Sequence, residues 1–133
     1  MPKMDQATFQ AFIDAPRIAH LIAVESDGTP HVAPVWYEYK GGQFFVFTPG
    51  TSVKLAHIRQ NPRVAISIAS EGEPYHYVTV NGAAMIGDGD GHQQALSITR
   101  RYRGDGAESF LNGLKDLHLI TITPTRFSSY IGD

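Results

Sequence analysis

The sequence predicts a mainly β fold, an antiparallel barrel with a few short helices at its rim. Runs of β-branched and aromatic residues are separated by Gly-bearing turns at residues 26–30 and 40–42, as in successive hairpins. One helix interrupts the strands and a helical segment precedes the last strand, which suits a barrel better than an open sheet. Residues 44–47 are apolar on both strand faces, which suggests that something outside the barrel, such as a second subunit, covers the outer face.

The first helix is predicted over residues 5–15. Asp5 is a suitable N-cap, Phe9 and Phe12 recur at helical spacing, and Pro16 ends the helix. The remaining elements are strands over 17–25, 31–39, 43–48, 63–70, 75–86 and 117–131 (with a bend at Pro124), and helices over 51–61, 92–103 and 107–115.

Length and composition restrict the class of protein. A chain of 133 residues predicts one domain, residues 1–133, and its 42% hydrophobic and 18% charged residues argue against disorder. The net charge of -2 argues against a nucleic-acid partner held by charge, and the absence of cysteine excludes disulfides, thiolate metal sites and cysteine nucleophiles. Without a signal peptide or a membrane-length apolar run, the expected protein is soluble and cytoplasmic, with no membrane partner.

The stretch from Thr48 to Arg63 has the pattern of an anion site. A predicted strand ends at Thr48, a Pro-Gly turn follows, and Thr51, Ser52 and Lys54 stand at a helix start. Free amides and the positive end of the helix dipole attract anions there, and two hydroxyls and an ammonium would add to the attraction. The same residues also fit a helix that is simply capped by Ser52 and carries a solvated lysine.

The second candidate segment contains Pro34, Val35 and Trp36. Proline cannot donate to a strand ladder, so the neighbour of Pro34 must be a sheet edge, a bulge or a ligand. A flat aromatic ligand along this backbone is one interpretation. An edge strand with Trp36 in the core is the other, and it is the better one if the segment is considered alone.

These segments together resemble a known family. The stretch PVWYEYKGGQFFVFTPGTSVKLAHIRQNPRVAISI is similar to the first half of the pyridoxamine 5'-phosphate oxidase-like, FMN-binding split β-barrel proteins. The resemblance rests on the Pro-x-Trp strand, the Gly-Gly hairpin, the strand-terminal threonine, the Ser-x-Lys helix start and the Asn-Pro-Arg before the next strand. It implies a six-stranded antiparallel Greek-key split barrel and a homodimer with cofactor at the interface.

The resemblance also assigns roles to residues. Ser52 and Lys54, with Thr51 beside them, would hold the phosphate of FMN. Pro34, Val35 and Trp36 would line the isoalloxazine ring, and Thr48 would approach it from the third strand. No side chain needs to act as a catalytic acid or base, because the cofactor carries out hydride transfer.

The sequence departs from pyridoxamine phosphate oxidase itself. The Arg-rich substrate segment of that enzyme is not seen after Arg126, so pyridoxamine oxidation is not expected. The chain is more similar to the short actinobacterial-type branch, in which many members use the deazaflavin F420. Three hypotheses follow: an FMN-dependent oxidoreductase acting on a small molecule, an F420-dependent reductase, and a non-enzymatic carrier of flavin, haem or another small ligand.

Other polar clusters give weaker signals. The six histidines show no paired-ligand spacing, and the expected first hairpin places His31 opposite Val24 and His20 opposite Val35, so no metal site is predicted. Residues 87–91 are predicted to form a mobile turn. The arginines near position 101 fit either a solvated helix face or contacts to an anionic cofactor tail; they are Arg100, Arg101 and Arg103.

Overall fold

A computed structural model describes residues 3–87 and 90–132 of the chain. Asp88 and Gly89, within the predicted turn at residues 87–91, lie outside the described residues. The elements in chain order are α1 (Gln6–Asp14), β1 (Ala19–Val24), β2 (Pro30–Val35), β3 (Glu38–Lys40), β4 (Gln43–Pro49), α2 (Val53–Gln60), β5 (Arg63–Ala69), β6 (His76–Ile86), α3 (His92–Arg103), α4 (Ala107–Asn112) and β7 (Leu117–Ile131), with a 3₁₀ turn at Gly104–Gly106 between α3 and α4.

The strands form one curled antiparallel sheet in the order β2-β1-β5-β6-β7-β4-β3. Its two edge strands, β2 and β3, are consecutive in the sequence, so the chain crosses from one edge to the other at Trp36 and Tyr37. The predicted mainly β split barrel is confirmed. The strand count is seven rather than six, because the single strand predicted over residues 31–39 is divided at this crossing.

The crossing interrupts the strand because Tyr37 is drawn into the core. Its side chain is fully buried, and its hydroxyl donates to the carbonyl oxygens of Ile13 (2.9 Å) and Ala15 (3.2 Å) at the end of α1. Burial of an aromatic ring is strongly favourable, and the two hydrogen bonds satisfy its polar end. The backbone therefore leaves β2 after Val35 and pairs again only from Glu38.

The first hairpin has a different register from the predicted one. His31 pairs with Ala23 and His20 pairs with Pro34, so the pairing of His31 with Val24 and of His20 with Val35 was wrong by one residue. The reason is the turn: the Glu25 N–H donates to the Thr29 carbonyl at 2.8 Å, which closes a longer loop than a turn centred on residues 27–28. A one-residue slip exchanges the two faces of a strand, so it decides where His31 points.

Apolar side chains fill the barrel from every long strand. On β4, Phe44, Val46 and Thr48 are buried and alternate with partly exposed residues. A second, smaller cluster of Ala95, Leu111 and Leu117 joins α3 and α4 to β7, with Phe47 packed against it. The two helices are thereby fixed over the end of β4, next to the start of α2.

The end caps follow the sequence pattern closely. Asp5 caps α1 by accepting the Thr8 N–H at 2.8 Å, and this hydrogen bond lowers the pKa of the Asp5 carboxyl.

The register between β6 and β7 shifts between Asn81 and Gly82, and Gly82 pairs with Pro124, where a bend was predicted. In the described ranges no helix has the length and apolar character needed to span a membrane.

Candidate functional site

A pocket of about 410 Å³ opens where the edge strand β2 approaches the end of β4 and the start of α2. Five of the seven residues predicted from the sequence line it: Pro34, Val35, Trp36, Thr48 and Lys54. The rest of the lining is apolar and comes from three further places, Ile18 before β1, Phe47 and Pro49 on β4, and Phe110 and Leu114 from the α4 segment.

Thr51 and Ser52 lie in the turn between β4 and α2 and do not line the pocket. The Ser52 N–H donates to the Pro49 carbonyl at 3.0 Å, and Ser52 Oγ accepts the Lys54 N–H at 3.2 Å as the N-cap of α2. A serine hydroxyl that accepts one hydrogen bond still has its own hydrogen to donate. The capping interpretation of Ser52 is therefore correct, and it leaves the hydroxyl able to donate to an anion.

The turn before α2 is held from the side by β7. The Gly50 N–H donates to the Asp116 carbonyl at 2.8 Å, and the Asp116 carboxylate pairs with His118 Nε2 at 3.1 Å. A side chain at position 50 would overlap the Asp116 carboxylate and would displace it from His118. The sequence contained no local sign of this contact, because Gly50 and Asp116 are far apart in the chain.

Lys54 is the one titratable side chain among the pocket's described lining residues. Burial lowers the pKa of the Lys54 ammonium, because partial desolvation penalises its charged form. An anion bound beside it would have the opposite effect and favour the charged form. The pocket therefore combines an apolar, uncharged wall with one cation at the start of a helix, which suits an aromatic ligand with an anionic group.

Pro34 lies on β2, an edge strand of the sheet, as its missing N–H required. The edge faces the pocket, and Pro34, Val35 and Trp36 all line it. Because β1 is the only strand hydrogen-bonded to β2 in the described residues, the other side of β2 is free to lie against a ligand.

Trp36 is held in a fixed orientation by residues that the sequence did not single out for this role. Its indole stacks on the Tyr102 ring, with centroids 5.0 Å apart and planes 10° apart, and Phe110 packs 5.2 Å away. The Tyr37 N–H donates to Tyr102 Oη at 3.1 Å, and this hydroxyl donates to the Arg17 carbonyl at 2.7 Å. One indole face is thus covered by protein, so Trp36 contributes its remaining surface to the pocket.

Arg101 secures the same crossing. Its Nε donates to the Tyr37 carbonyl at 2.9 Å, and its Nη1 donates to the Asp14 carbonyl at the end of α1, also at 2.9 Å. Arg101 is half-buried, and these hydrogen bonds to backbone carbonyls are a role that neither hypothesis for the arginine cluster described. Arg100 does fit the solvated interpretation, because it pairs with Glu108 on the surface.

We expect Arg101→Ala to lower the free energy of unfolding by about 1.5–3 kcal/mol, because it removes hydrogen bonds from a charged donor to partly buried carbonyls. The matched variant Arg100→Ala removes the same charge but only an exposed ion pair, which contributes about 0–1 kcal/mol. Urea unfolding of both variants measures the difference. Equal destabilisation of the two would show that Arg101 does not hold the crossing.

A larger cavity of about 620 Å³ lies beside α1. Aromatic side chains form much of its wall, and Lys3 and Asp5 lie at it. None of the seven residues predicted for the site lines this cavity, and the helix start beside it is capped by the carboxylate of Asp5, which disfavours an anion there. Size alone therefore does not make it the better candidate.

Comparisons with known proteins agree with this geometry. The family model for pyridoxamine 5'-phosphate oxidase matches residues 6–130. A search of curated proteins gives no match. Similar solved structures include the conserved hypothetical protein Rv2991 of Mycobacterium tuberculosis (TM-score 0.82, 23% identity, covering 96% of this chain and 85% of that one). An F420 reductase is 28% identical, with a TM-score of 0.76, and the match covers 90% of this chain and 94% of that one.

A FAD-binding protein of Mesorhizobium loti is 22% identical, with a TM-score of 0.70, and the match covers 96% of this chain and 95% of that one. The family match spans nearly the whole chain and includes every element around the pocket. This chain belongs to the pyridoxamine 5'-phosphate oxidase-like family of split β-barrels.

Proposed function

We propose that this protein is an oxidoreductase that binds FMN, with the phosphate at the start of α2 and the ring in the pocket beside β2. The observation that carries the proposal is the pocket itself, in which Lys54 is the single charged group on a wall that is otherwise neutral and mostly apolar. The FAD-binding relative and the family match support a flavin as the ligand.

The phosphate group of FMN would lie at the start of α2. The helix runs over eight residues and begins immediately after Ser52, which accepts the Lys54 N–H at its Oγ and the Leu55 N–H at its carbonyl. The Val53 N–H, the Ser52 hydroxyl and the Lys54 ammonium favour an anion at this position, together with the positive end of the helix dipole. No acidic side chain lines the pocket among the described residues, so nothing there repels a phosphate.

The flavin ring would lie between β2 and the α4 segment, which form opposite walls of the pocket. Pro34 and Val35 present an edge of backbone and apolar side chain, while Phe110 and Leu114 close the pocket from the opposite side. Such walls exclude water and fix a flat ring by contact alone. The buried Thr48, at the end of β4, is the polar lining group nearest in sequence to the anion site.

The cofactor and the protein would have different roles in the reaction. A bound flavin supplies hydride transfer, and the protein needs to bind it, orient it and keep water away. Trp36, locked by Tyr102, sets one border of the space left for a substrate. Apart from Lys54, the described pocket wall has no acidic or basic side chain, which is consistent with this role for a small organic substrate.

The deazaflavin F420 is the second candidate cofactor. The specific observation in its favour is the 28% identical F420 reductase, which covers 90% of this chain. F420 also joins a flat ring to an anionic tail, so the same pocket and the same lysine suit it. The two candidates differ in the expected spectrum and in relative affinity.

We also propose a homodimer, on the basis of the outer sheet face. Most residues that alternate with the buried positions on the central strands are uncharged: Ile22, Val24, Ala65, Ser67, Thr79, Asn81, Ala83, Met85, Thr121 and Thr123. The charged residues among them include Arg63, at the start of β5. Met85 is 72% exposed in the single chain. A monomer would ordinarily place charged residues across such a face, so we infer that a second copy covers it.

The first experiment is an absorption spectrum of the purified protein, followed by titration of the ligand-free protein with FMN and with F420. We expect a yellow protein that releases FMN on heating, and whose bound FMN is reduced by a nicotinamide donor and reoxidised by a small organic substrate, which is thereby reduced. A colourless protein that binds F420 more tightly than FMN would favour the deazaflavin reductase. Binding of FMN without turnover on any donor would favour a carrier, and binding of neither would contradict the proposal.

A further inference from the structure

Two histidines, one on β2 and one on α2, lie in contact with each other outside the pocket lining. The rings of His31 on β2 and His57 on α2 lie with centroids 5.3 Å apart and planes inclined by 55°. Both side chains are partly exposed, and neither forms a side-chain hydrogen bond within the described part of the chain. The contact arises because of the actual hairpin register, in which His31 pairs with Ala23.

The fold explains why these two residues meet. Lys54 and Pro34 line the same pocket, so the start of α2 lies against the end of β2. His57 is one helical turn after Lys54, and His31 is three residues before Pro34. The strand and the helix therefore run past each other in opposite directions, with the pocket at one contact and the histidine pair at the next.

The separation of the rings fits two imidazoles that share one ion. Zinc-bound imidazole nitrogens lie about 2.0–2.1 Å from the metal, which places each ring centroid about 3.2 Å from it. At a tetrahedral angle, two such centroids are about 5.2 Å apart. The 5.3 Å separation of the two centroids in this structure is close to that value.

We propose that His31 and His57 form a two-imidazole site for a zinc-class divalent cation. The described residues contain no group of three or more His, Asp or Glu side chains arranged to hold a metal, so water or an added anion completes the coordination. Imidazole pairs of this kind bind Zn²⁺, Ni²⁺ and Cu²⁺ in preference to Mg²⁺ or Ca²⁺, which prefer oxygen ligands. The site is separate from the pocket lining and does not depend on which cofactor the pocket binds.

The test uses Zn²⁺ alone, titrated into cofactor-free protein by calorimetry in a buffer without phosphate. We expect one ion per chain in the wild type, and a loss of affinity of at least about tenfold in both His31→Gln and His57→Gln. Glutamine is polar and of similar length, and both positions are partly exposed, so the fold should be retained. The matched control is His20→Gln, an exposed histidine on the neighbouring strand β1 that should leave the affinity unchanged.

Thermal unfolding supplies a second measurement on the same proteins. Zn²⁺ should raise the unfolding midpoint of the wild type and of His20→Gln, because it binds the folded state, and should do so much less in the other two variants. Absence of Zn²⁺ binding to the wild type would overturn the proposal. So would wild-type affinity in either His31→Gln or His57→Gln, or an equal loss in the His20 control.

Discussion

Replacing Lys54 with alanine is expected to weaken FMN binding by roughly tenfold to a hundredfold. A hydrogen bond to a charged group contributes about 1.5–3 kcal/mol, and each 1.4 kcal/mol is about a factor of ten in affinity. Lys54 is the single cation on the described pocket wall, so no neighbouring charge can take over its contact. Fluorescence titration of cofactor-free wild-type and variant protein with FMN measures the change.

The control for this experiment is Arg59→Ala on the same helix. Arg59 is exposed in the last turn of α2, so its removal changes the net charge equally but leaves the start of the helix unaltered. We expect Arg59→Ala to bind FMN as the wild type does, and Lys54→Arg to retain part of the affinity. An unchanged affinity in Lys54→Ala, with the protein folded, would remove the phosphate site from this helix start.

The same contact gives FMN binding a defined dependence on pH. Burial lowers the pKa of Lys54 in the free protein from its ordinary value of 10.5, and a bound phosphate raises it again. The affinity contributed by Lys54 is therefore complete below the free-state pKa and is lost as the pH rises through the bound-state pKa. Between these two pKa values, wild-type affinity should fall with rising pH, whereas that of Lys54→Arg should not, because arginine stays charged.

Local sequence patterns were sufficient for most of the fold. The caps at Asp5 and Ser52 and the Gly-bearing turns each act within a few residues, so they could be identified without the tertiary structure. The division of the second strand could not be identified in this way. It depends on Tyr37 reaching the end of α1 and on Arg101 holding the crossing, and neither partner is close in sequence.

The candidate site shows the same separation between local and distant signals. Pro34 and Lys54 belong to short motifs, and both line the pocket. Phe110 and Leu114 could not be predicted, because α4 reaches the pocket only through the packing of the second apolar cluster. The contact between His31 and His57 required the correct hairpin register, and an error of one residue had placed His31 on the other face of its strand.

Thr79→Arg, a substitution on the outer sheet face, is expected to convert the proposed dimer into monomers. Thr79 lies on β6 and pairs with Ser67 on β5, near the middle of the largely uncharged face. In a two-fold symmetric interface each substitution is introduced twice, so two unpaired guanidinium groups would be buried in the interface. Burying an unpaired charge costs several kcal/mol, which is enough to dissociate an interface of ordinary size.

Sedimentation velocity over a range of protein concentrations distinguishes the two states, and Gln94→Arg on the exposed face of α3 adds the same charge away from the interface. Since the family resemblance implies a cofactor at the interface, the Thr79→Arg monomer should also bind FMN more weakly than the Gln94→Arg control. A monomeric wild type, or a Thr79→Arg variant that remains dimeric, would contradict the proposed interface. Loss of the dimer with FMN affinity retained would instead mean that one chain forms the complete cofactor site, and that the largely uncharged face serves assembly alone.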